Sequence, residues 1–289
     1  MRLNLPQNGS IIKENTTAKG KNMKITDIIT GARPCLSFEV FPPKTDDKFA
    51  AVSSATHEIA ALHPGFMSVT YGAGGGTSEF TANIAQDIQE KYGVTTIAHL
   101  TCVSSTRQQI RDRLSDLRAR GIENILALRG DMPADLDKSQ MEYAHASELI
   151  GEIRAFGGFT IGGACYPEGH PESANCREDV AFLKEKVDAG CEFLTTQMFF
   201  DNNILYNFMY RIREAGINVP VIAGIMPVTA PAQIKRICSI SGTALPQRFV
   251  RIVDRFGDDP AAMLQAGVAY ATEQVIDLIA NGINAVHIY

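Results

Sequence analysis

The sequence predicts a single (β/α)8 TIM barrel, the α/β fold class in which eight parallel strands alternate with helices around a closed core. Short runs rich in β-branched and aromatic residues recur along the chain of 289 residues, and amphipathic segments separate them. No Pro- and Gly-rich linker or block of charge divides the chain. Alternation alone leaves a doubly wound sheet open, but polar residues at the ends of predicted strands favour the barrel, because barrel enzymes build their sites there.

The pattern predicts these elements in order. The strands are residues 36–41, 66–71, 96–102, 125–129, 160–166, 193–199, 219–225 and 285–289. Helices are predicted at residues 23–30, 105–120, 177–189, 203–215 and 261–281. Four of them run up to a glycine, which is common where a helix ends, namely Gly121, Gly190, Gly216 and Gly282.

The two ends of the chain differ from the rest. Residues 1–22 are rich in Asn, Lys, Thr and Gly and are predicted to form a disordered tail, so that the barrel comprises residues 23–289. The sequence does not decide whether translation starts at Met1 or at Met23. The last predicted strand is also the end of the sequence, so we expect a barrel that lacks the helix after its last strand.

Composition argues against several classes of function. The formal net charge of −5 provides no broad basic field for nucleic acid. No apolar run approaches the roughly 20 residues that a membrane span needs, and no apolar signal segment precedes the barrel, so a cytoplasmic protein without a membrane partner is predicted. The six cysteines include no Cys-x-x-Cys pair, and we interpret them as buried small side chains.

Glu39 is the first candidate for chemistry. Alternation along its strand places Ser37 and Glu39 on the inner face of the barrel. Burial among apolar neighbours raises the pKa of a carboxyl group, which is the property of a general acid that holds its proton near neutral pH. A Glu paired with Arg or Lys inside the barrel is the alternative.

The end of the fourth predicted strand carries Arg129, Gly130 and Asp131. Gly130 would let a ligand approach the backbone, because it has no side chain. Asp131 is a second candidate acid, and its alternative roles are a helix N-cap or a salt bridge to Arg129.

Two loops are candidates for binding a cofactor. Residues 71–77 are rich in glycine but lack the third glycine of a dinucleotide fingerprint, so we predict backbone amides that meet a phosphate or a planar ring, with a plain flexible loop as the alternative. Residues 166–172 contain two prolines, and Tyr166 and His170 offer stacking and hydrogen bonds.

The arrangement of the histidines does not predict a metal site in this sequence. His170 stands near Glu168 and Glu172, but the second His or Cys cluster of a metal site is missing from the sequence, so no metal is expected. Three other histidines are interpreted as structural, namely His63, His145 and His287.

These segments, taken in order, resemble the methylenetetrahydrofolate reductase family. The resemblance extends from about residue 23 to residue 289. It is carried by SFEVFPP at residues 37–43, SVTYGA at 68–73, HLTC at 99–102, ALRGD at 127–131, YPEGHPE at 166–172, KVDAG at 186–190, TQMFFD at 196–201 and GIMPV at 224–228.

The resemblance implies a barrel that binds FAD non-covalently. Hydride would pass from NADH or NADPH to the flavin and, after product exchange, to 5,10-methylenetetrahydrofolate, giving 5-methyltetrahydrofolate. Glu39 corresponds to the family's acid, which protonates a folate nitrogen so that the five-membered ring opens to an iminium ion. Asp131 corresponds to an anion near flavin and pterin that stabilises this cation.

The family's other binding positions are carried over residue by residue. Those implied to bind FAD are Tyr71, Ala73, His99, Arg129, Gly130, Asp131, Ala146, Tyr166, His170, Ser173, Asp179 and Lys186. Arg129 and Lys186 are the expected charge partners of its diphosphate. Those implied to contact the nicotinamide or the folate are Thr70, Asp131, Gln197 and Gln233.

The sequence departs from the family pattern in two respects. The family chain continues past the last strand into a segment with an Arg that holds the glutamate tail of folate, whereas this sequence ends at Tyr289, so weaker folate binding is expected unless a partner supplies the segment. Ile237 stands where some relatives have a stacking Phe, and Phe182 and Glu185 replace more polar residues near the diphosphate.

Two other functions remain open at this level. One is an FAD-binding barrel subunit that receives electrons from a partner protein. The other is a flavin-free barrel, either a lyase or a pterin-binding methyltransferase subunit, although none of the eight predicted strands contains the Lys that a Schiff-base aldolase needs. The choice between NADH and NADPH and the formation of a homo-oligomer also stay open.

Overall fold

The computed structural model describes residues 23–43, 49–71, 78–132, 139 and 141–289. Within these ranges, eight parallel strands form a closed barrel in chain order, and the first strand pairs with both the second and the last. The predicted fold class is therefore confirmed. The predicted tail, residues 1–22, lies outside the described residues.

Strands and helices alternate along the chain, with additional helices before the last strand. The strands are β1 (Cys35–Val40), β2 (Met67–Val69), β3 (Thr96–Thr101), β4 (Asn124–Leu128), β5 (Thr160–Cys165), β6 (Phe193–Thr196), β7 (Val221–Ile225) and β8 (Ala285–Ile288). The helices are α1 (Ile25–Ile29), α2 (Phe49–Ala60), α3 (Ser78–Tyr92), α4 (Arg107–Ala119), α5 (Ala146–Phe156), α6 (Cys176–Ala189), α7 (Asn202–Glu214), α8 (Pro231–Ser241), α9 (Gln247–Phe256) and α10 (Pro260–Ala280). None of those in the described ranges is both long and apolar enough to span a membrane.

The predicted strands are all present, with shifted boundaries. Most end earlier than predicted, because the chain leaves the ladder before residues such as Arg129 and Gln197 and turns into the loops above the barrel. β7 begins at Val221 because Pro220 has no N–H to add to the ladder. α4 begins two residues later than predicted, since Thr106 caps it by accepting a hydrogen bond from the Gln109 amide at 3.2 Å.

The amino-terminal end of the barrel is closed by α1. Ile25 and Ile29 pack against inward-facing residues of the strands, namely Cys35, Phe66, Ile97, Leu126, Phe193, Ile222 and Ala285. The Phe193 ring occupies the space beside Gly162, where a Cβ atom would lie 2.3 Å from it. The Ile25 amide donates to Asn124 Oδ1 at 3.0 Å, which ties α1 to β4. This end of the barrel is therefore a packed core, and the polar interior lies at the opposite end.

The largest apolar cluster lies between the outer faces of the strands and the surrounding helices. Val40, Val69 and Leu100 contribute to it from β1, β2 and β3. Because the strands are covered on both faces, several of them are almost wholly buried, as expected for a parallel sheet enclosed by helices.

In the connection from β7 to β8, α10 approaches the loop after β7 closely. A Cβ atom added to Gly267 would lie 1.8 Å from the carbonyl oxygen of Val228. The helix can pack against this backbone only because Gly267 has no side chain.

We expect Gly267→Ala to lower the free energy of unfolding by about 1–3 kcal/mol, because α10 must move away from the loop after β7. Gly151 in α5 is the matched control, since no atom lies within 4 Å of the position that an added Cβ atom would take there. Gly151→Ala should instead raise the free energy of unfolding by about 0.5–1 kcal/mol, as helix propensity predicts. Denaturant unfolding measures both, and a similar effect of the two substitutions would contradict the close approach.

Candidate functional site

Six inward-facing side chains form a group near the carboxyl ends of the strands. We call Ser37, Glu39, Ser68, His99, His287 and Tyr289 the inner polar cluster. β1, β2, β3 and the end of β8 supply them, and the strand register pairs Glu39 with Ser68 and Ser37 with His287. The prediction that Ser37 and Glu39 face the interior agrees with this arrangement.

Glu39 is the titratable acid of this cluster, and its carboxyl group is nearly buried, with 10% of the side chain exposed. Burial raises the pKa of Glu39 to about 8, so the group holds its proton at neutral pH. Ser68 is the register partner of Glu39, and a hydrogen bond donated by its hydroxyl to the carboxylate opposes this shift.

The nearest basic group to Glu39 is His99, with Nε2 at 3.6 Å from Glu39 Oε2. Burial lowers the pKa of His99 to about 4, so the two groups are neutral together near pH 7 and do not form an ion pair. Among the described residues no Arg or Lys pairs with Glu39. The alternative interpretation, a Glu39 that forms an ion pair with Arg or Lys inside the barrel, is therefore not supported. His99 Nε2 is buried and has no hydrogen-bond partner within the described structure.

His287 and Tyr289 were missed as site residues. His287 was interpreted as structural, and it does stack on Phe66 with ring centroids 5.5 Å apart, while burial lowers its pKa to about 3. The Tyr289 hydroxyl donates to the Thr196 carbonyl at 2.5 Å, and its ring lies where a Cβ on Gly224 would be, 2.4 Å from Cε2. Strand alternation places both side chains inward, so the reasoning applied to Glu39 could have found them.

Arg129 and Gly130 follow the end of β4, and each has contacts within the protein. Arg129 forms a bidentate ion pair with Glu172, with N to O distances of 2.6 and 2.7 Å, and not with Asp131. Gly130 has φ of 91°, and a Cβ there would lie 3.1 Å from both Thr101 and Val103. Local backbone geometry therefore requires this glycine in addition to any approach by a ligand.

Asp131 is exposed, and it lies next to the last residue described before a gap at residues 133–138. The pKa of Tyr166 is raised by burial and also by the charge of Asp131, which places the two side chains in the same region. Sequence reasoning had therefore identified the location of Asp131 but not its neighbours.

Together with these residues, the loop after β5 and helix α6 form a second group. We call Arg129, Asp131, Tyr166, His170, Glu172, Ser173, Asp179 and Lys186 the rim cluster. The Tyr166 and His170 rings meet edge to face, with centroids 4.6 Å apart, and Ser173 Oγ donates to Asp179 Oδ1 at 3.4 Å.

Lys186 is the partly buried cation of the rim cluster. Its Nζ donates to the Ala164 carbonyl at 3.0 Å, and burial lowers its pKa from the ordinary value, while Asp179 and two buried thiols oppose this shift. A carbonyl does not neutralise a buried ammonium group, so this position favours an anionic ligand.

The other predicted binding residues are distributed around the same end of the barrel. Thr70 follows β2, and its carbonyl accepts from Thr81 Oγ1 at 2.9 Å. The Tyr71 ring lies 5.2 Å from the Arg113 guanidinium, and Ala146 is the buried first residue of α5. Ala73 and the side chain of Ile237 lie outside the described residues.

The two predicted glutamines use their amide oxygens within the protein. Gln197 Oε1 accepts from the Met198 amide at 2.9 Å. Gln233 Oε1 accepts from the Thr229 and Ala230 amides, both at 3.1 Å, and so caps α8.

The departures on α6 are surface features. Phe182 is 44% exposed and stacks on His145 with centroids 6.4 Å apart, and Glu185 is exposed. Among the described residues, no three His, Cys, Asp or Glu side chains form a group that could hold a metal ion.

The fold and the two clusters define a (β/α)8 barrel protein with a nearly buried neutral acid, and with Arg129 and Lys186 in a polar rim, at the carboxyl ends of its strands. The chain belongs to the methylenetetrahydrofolate reductase family, whose model matches residues 24–289. The 5,10-methylenetetrahydrofolate reductase of Escherichia coli is 35% identical over 254 residues, which cover 88% of this chain and 85% of that protein.

Other relatives are longer. Methylenetetrahydrofolate reductase (NADH) 1 of Arabidopsis thaliana is 34% identical over 282 residues, which cover 92% of this chain and 47% of that protein. The chain thus spans about half the length of the plant relatives it matches.

Among solved structures, an uncharacterized protein from Clostridium thermocellum that binds two copies of 5-methyl-5,6,7,8-tetrahydrofolic acid is similar, with a TM-score of 0.61 and 14% identity. The match covers 91% of this chain and 90% of that one, and at this identity it shows the fold alone.

The raised pKa of Glu39 predicts how stability depends on pH. The folded protein keeps the Glu39 proton up to about pH 8, whereas the unfolded chain loses it near pH 4.5, so this group's contribution to stability is lost as pH rises between these values. Glu39→Gln cannot ionise and should gain stability relative to the unchanged protein from pH 5 to pH 8.5, by on the order of a few kcal/mol.

Denaturant unfolding at several pH values measures this difference. Glu214→Gln, at an exposed position at the end of α7, is the control. Its difference in free energy of unfolding from the unchanged protein should not grow between pH 5 and pH 8.5. A difference between Glu39→Gln and the unchanged protein that is independent of pH would contradict the raised pKa.

Proposed function

We propose that this chain binds FAD non-covalently and reduces 5,10-methylenetetrahydrofolate to 5-methyltetrahydrofolate with hydride from NADH or NADPH in a ping-pong reaction. Family membership supports the reaction class. The observation that carries the proposal is Glu39, a carboxylic acid held neutral inside the barrel where its proton can reach a ligand.

The residues of the rim cluster fit FAD. Lys186 is a partly buried cation hydrogen-bonded to a carbonyl, and Arg129 is a second cation that could exchange Glu172 for a phosphate. Tyr166 and His170 provide ring edges and faces, and the unpartnered His99 Nε2 offers a polar atom to a planar ring system. When bound, FAD supplies the transfer of hydride from the nicotinamide to the folate.

Glu39 acts on the folate. Because its carboxyl group is protonated near pH 7, it can donate that proton to a ring nitrogen of 5,10-methylenetetrahydrofolate, which breaks the adjacent C–N bond and leaves an iminium carbon that accepts hydride. Asp131, exposed at the rim and close enough to Tyr166 to raise its pKa, stabilises the positive charge of the iminium ion electrostatically. The side-chain NH2 groups of Gln197 and Gln233 remain available to hydrogen-bond the alternating ligands.

Glu39→Gln should separate the two half-reactions. Without a proton to donate, the variant should retain FAD and its reduction by NADH or NADPH but lose folate reduction by about 100-fold or more, in the range of general acid catalysis. Anaerobic absorbance spectra measure both steps, since the flavin bleaches on reduction and recovers when folate is added. Normal recovery in the variant would refute the role of Glu39, and a protein that binds no FAD would remove the proposal itself.

The same experiment tests the electron donor. Unchanged protein that holds FAD but is not bleached by NADH or NADPH would contradict the nicotinamide step and point to a protein that donates electrons. Bleaching without recovery on addition of folate would contradict the folate step.

Lys186→Met should weaken FAD binding about 10- to 100-fold, as expected for the loss of one charge-assisted hydrogen bond to a phosphate. Lys184→Met is the matched control, because Lys184 lies on the same helix and pairs with Asp188 at the surface. Titration of the apoprotein with FAD, followed by the change in flavin fluorescence, measures the dissociation constants. Equal affinities of the two variants would exclude contact between Lys186 and the cofactor.

A further inference from the structure

A chain of polar contacts crosses the inner polar cluster from Glu39 to a backbone carbonyl. Ser68 is the register partner of Glu39, and its side chain acts on the Glu39 pKa. Ser68 Oγ lies 2.9 Å from His287 Nε2. His287 Nδ1 lies 2.7 Å from Ser37 Oγ, and Ser37 Oγ donates to the Val286 carbonyl at 3.0 Å. All of these side chains except Glu39 are completely or almost completely buried.

The Val286 carbonyl, at the end of this series of contacts, determines the direction of each hydrogen bond in the series. A carbonyl oxygen can only accept, so the single hydroxyl hydrogen of Ser37 points to Val286. Ser37 Oγ must then accept from His287, which places the imidazole hydrogen on Nδ1. His287 Nε2 is consequently an acceptor and takes the hydroxyl hydrogen of Ser68. Ser68 is left with lone pairs to offer Glu39, and a lone pair can accept from a carboxylic acid but repels a carboxylate.

We propose that His287 is a positioning residue that keeps the proton on Glu39 through Ser68, because its Nδ1–H tautomer commits the Ser68 hydroxyl hydrogen to the imidazole ring. Ionisation of Glu39 requires Ser68 to turn its hydrogen away from His287 and lose that hydrogen bond. The chain thus adds a directional preference to the effect of burial.

The other groups that face Glu39 do not provide this preference. His99 on β3 and Tyr289 after β8 are neutral near pH 7, since burial lowers the pKa of the first to about 4 and raises that of the second above its usual range. Tyr166 and Cys165, at the end of β5, face Tyr289 and are also neutral, as burial raises the pKa of each. Within the described residues, no charged side chain contributes to the pKa of Glu39, so the direction of the Ser68 hydrogen bond is the variable that remains.

The catalytic consequence rests on the proposed function, but two measurements do not require turnover. Nitrogen-15 NMR of histidine-labelled holoprotein with FAD should show His287 as the Nδ1–H tautomer. The protonated carboxyl stretch of Glu39, identified by infrared difference against Glu39→Gln, gives the Glu39 pKa in each variant. An Nε2–H tautomer in the unchanged protein would overturn the proposal without any variant.

Ser37→Ala is the decisive substitution. It removes the acceptor of Nδ1–H, so His287 can adopt the Nε2–H tautomer, donate to Ser68 and free the Ser68 hydrogen for a carboxylate. The Glu39 pKa should fall by about one to two units, which corresponds to one hydrogen bond to a charged group. Thr96→Val is the control and should leave the Glu39 pKa unchanged. It removes another buried hydroxyl, whose Oγ1 donates to Gln89 Oε1 at 2.8 Å.

Ser68→Ala distinguishes the two possible directions by sign. If Ser68 accepts from the acid, its removal leaves the Glu39 pKa unchanged or lowers it, whereas removal of a donor to the carboxylate would raise it. A rise in Ser68→Ala, or no change in Ser37→Ala, would overturn the role of His287. If the tautomer and the Ser37→Ala shift are as expected but the holoprotein reduces no folate, the proposed function fails while the positioning role stands.

Discussion

The pairing of β1 with β8 is the contact on which the inner polar cluster depends. It closes the barrel and brings together Ser37 and His287, which are 250 residues apart in the chain. The same closure brings Tyr289 close enough to Glu39 for the carboxyl charge to affect the phenol. Each intervening strand must be in register for this contact to form, so the chemistry of the cluster is a property of the complete barrel and not of any one segment.

Burial imposes different conditions on the members of this cluster. A buried polar group without a hydrogen bond costs free energy, and the fold meets this condition for His287 at both ring nitrogens and for Tyr289 through the Thr196 carbonyl. Glu39 and His99 are satisfied less completely, with 3.6 Å between their nearest polar atoms. Incomplete bonding at these two groups is consistent with a site that trades some stability for function.

Sequence patterns predicted most of the fold and part of the site, for physical reasons that differ between residues. Strand alternation is local, so it correctly placed Ser37 and Glu39 inside the barrel, and it would also have placed His287 there had that residue not been interpreted as structural. The ion pair of Arg129 with Glu172 and the capping role of Gln233 depend on how loops pack. The pKa of Glu39 depends on which charged groups the other strands bring near it, and only the assembled barrel determines that.

The inner polar cluster holds a neutral acid although the rim cluster contains two cations, Arg129 and Lys186. Removing a carboxylate from water costs several kcal/mol, whereas a charge near solvent acts through a high effective dielectric and contributes about 1 kcal/mol even at short range. Arg129 is in addition neutralised by Glu172, and Lys186 lies on α6, outside the strands. Burial therefore dominates at Glu39, since none of the described cations contributes to its pKa. A cation at the position of His99 would lower the Glu39 pKa more than burial raises it and would leave Glu39 ionised. The cations that bind an anionic ligand must therefore lie on other elements than the strands next to the proton donor.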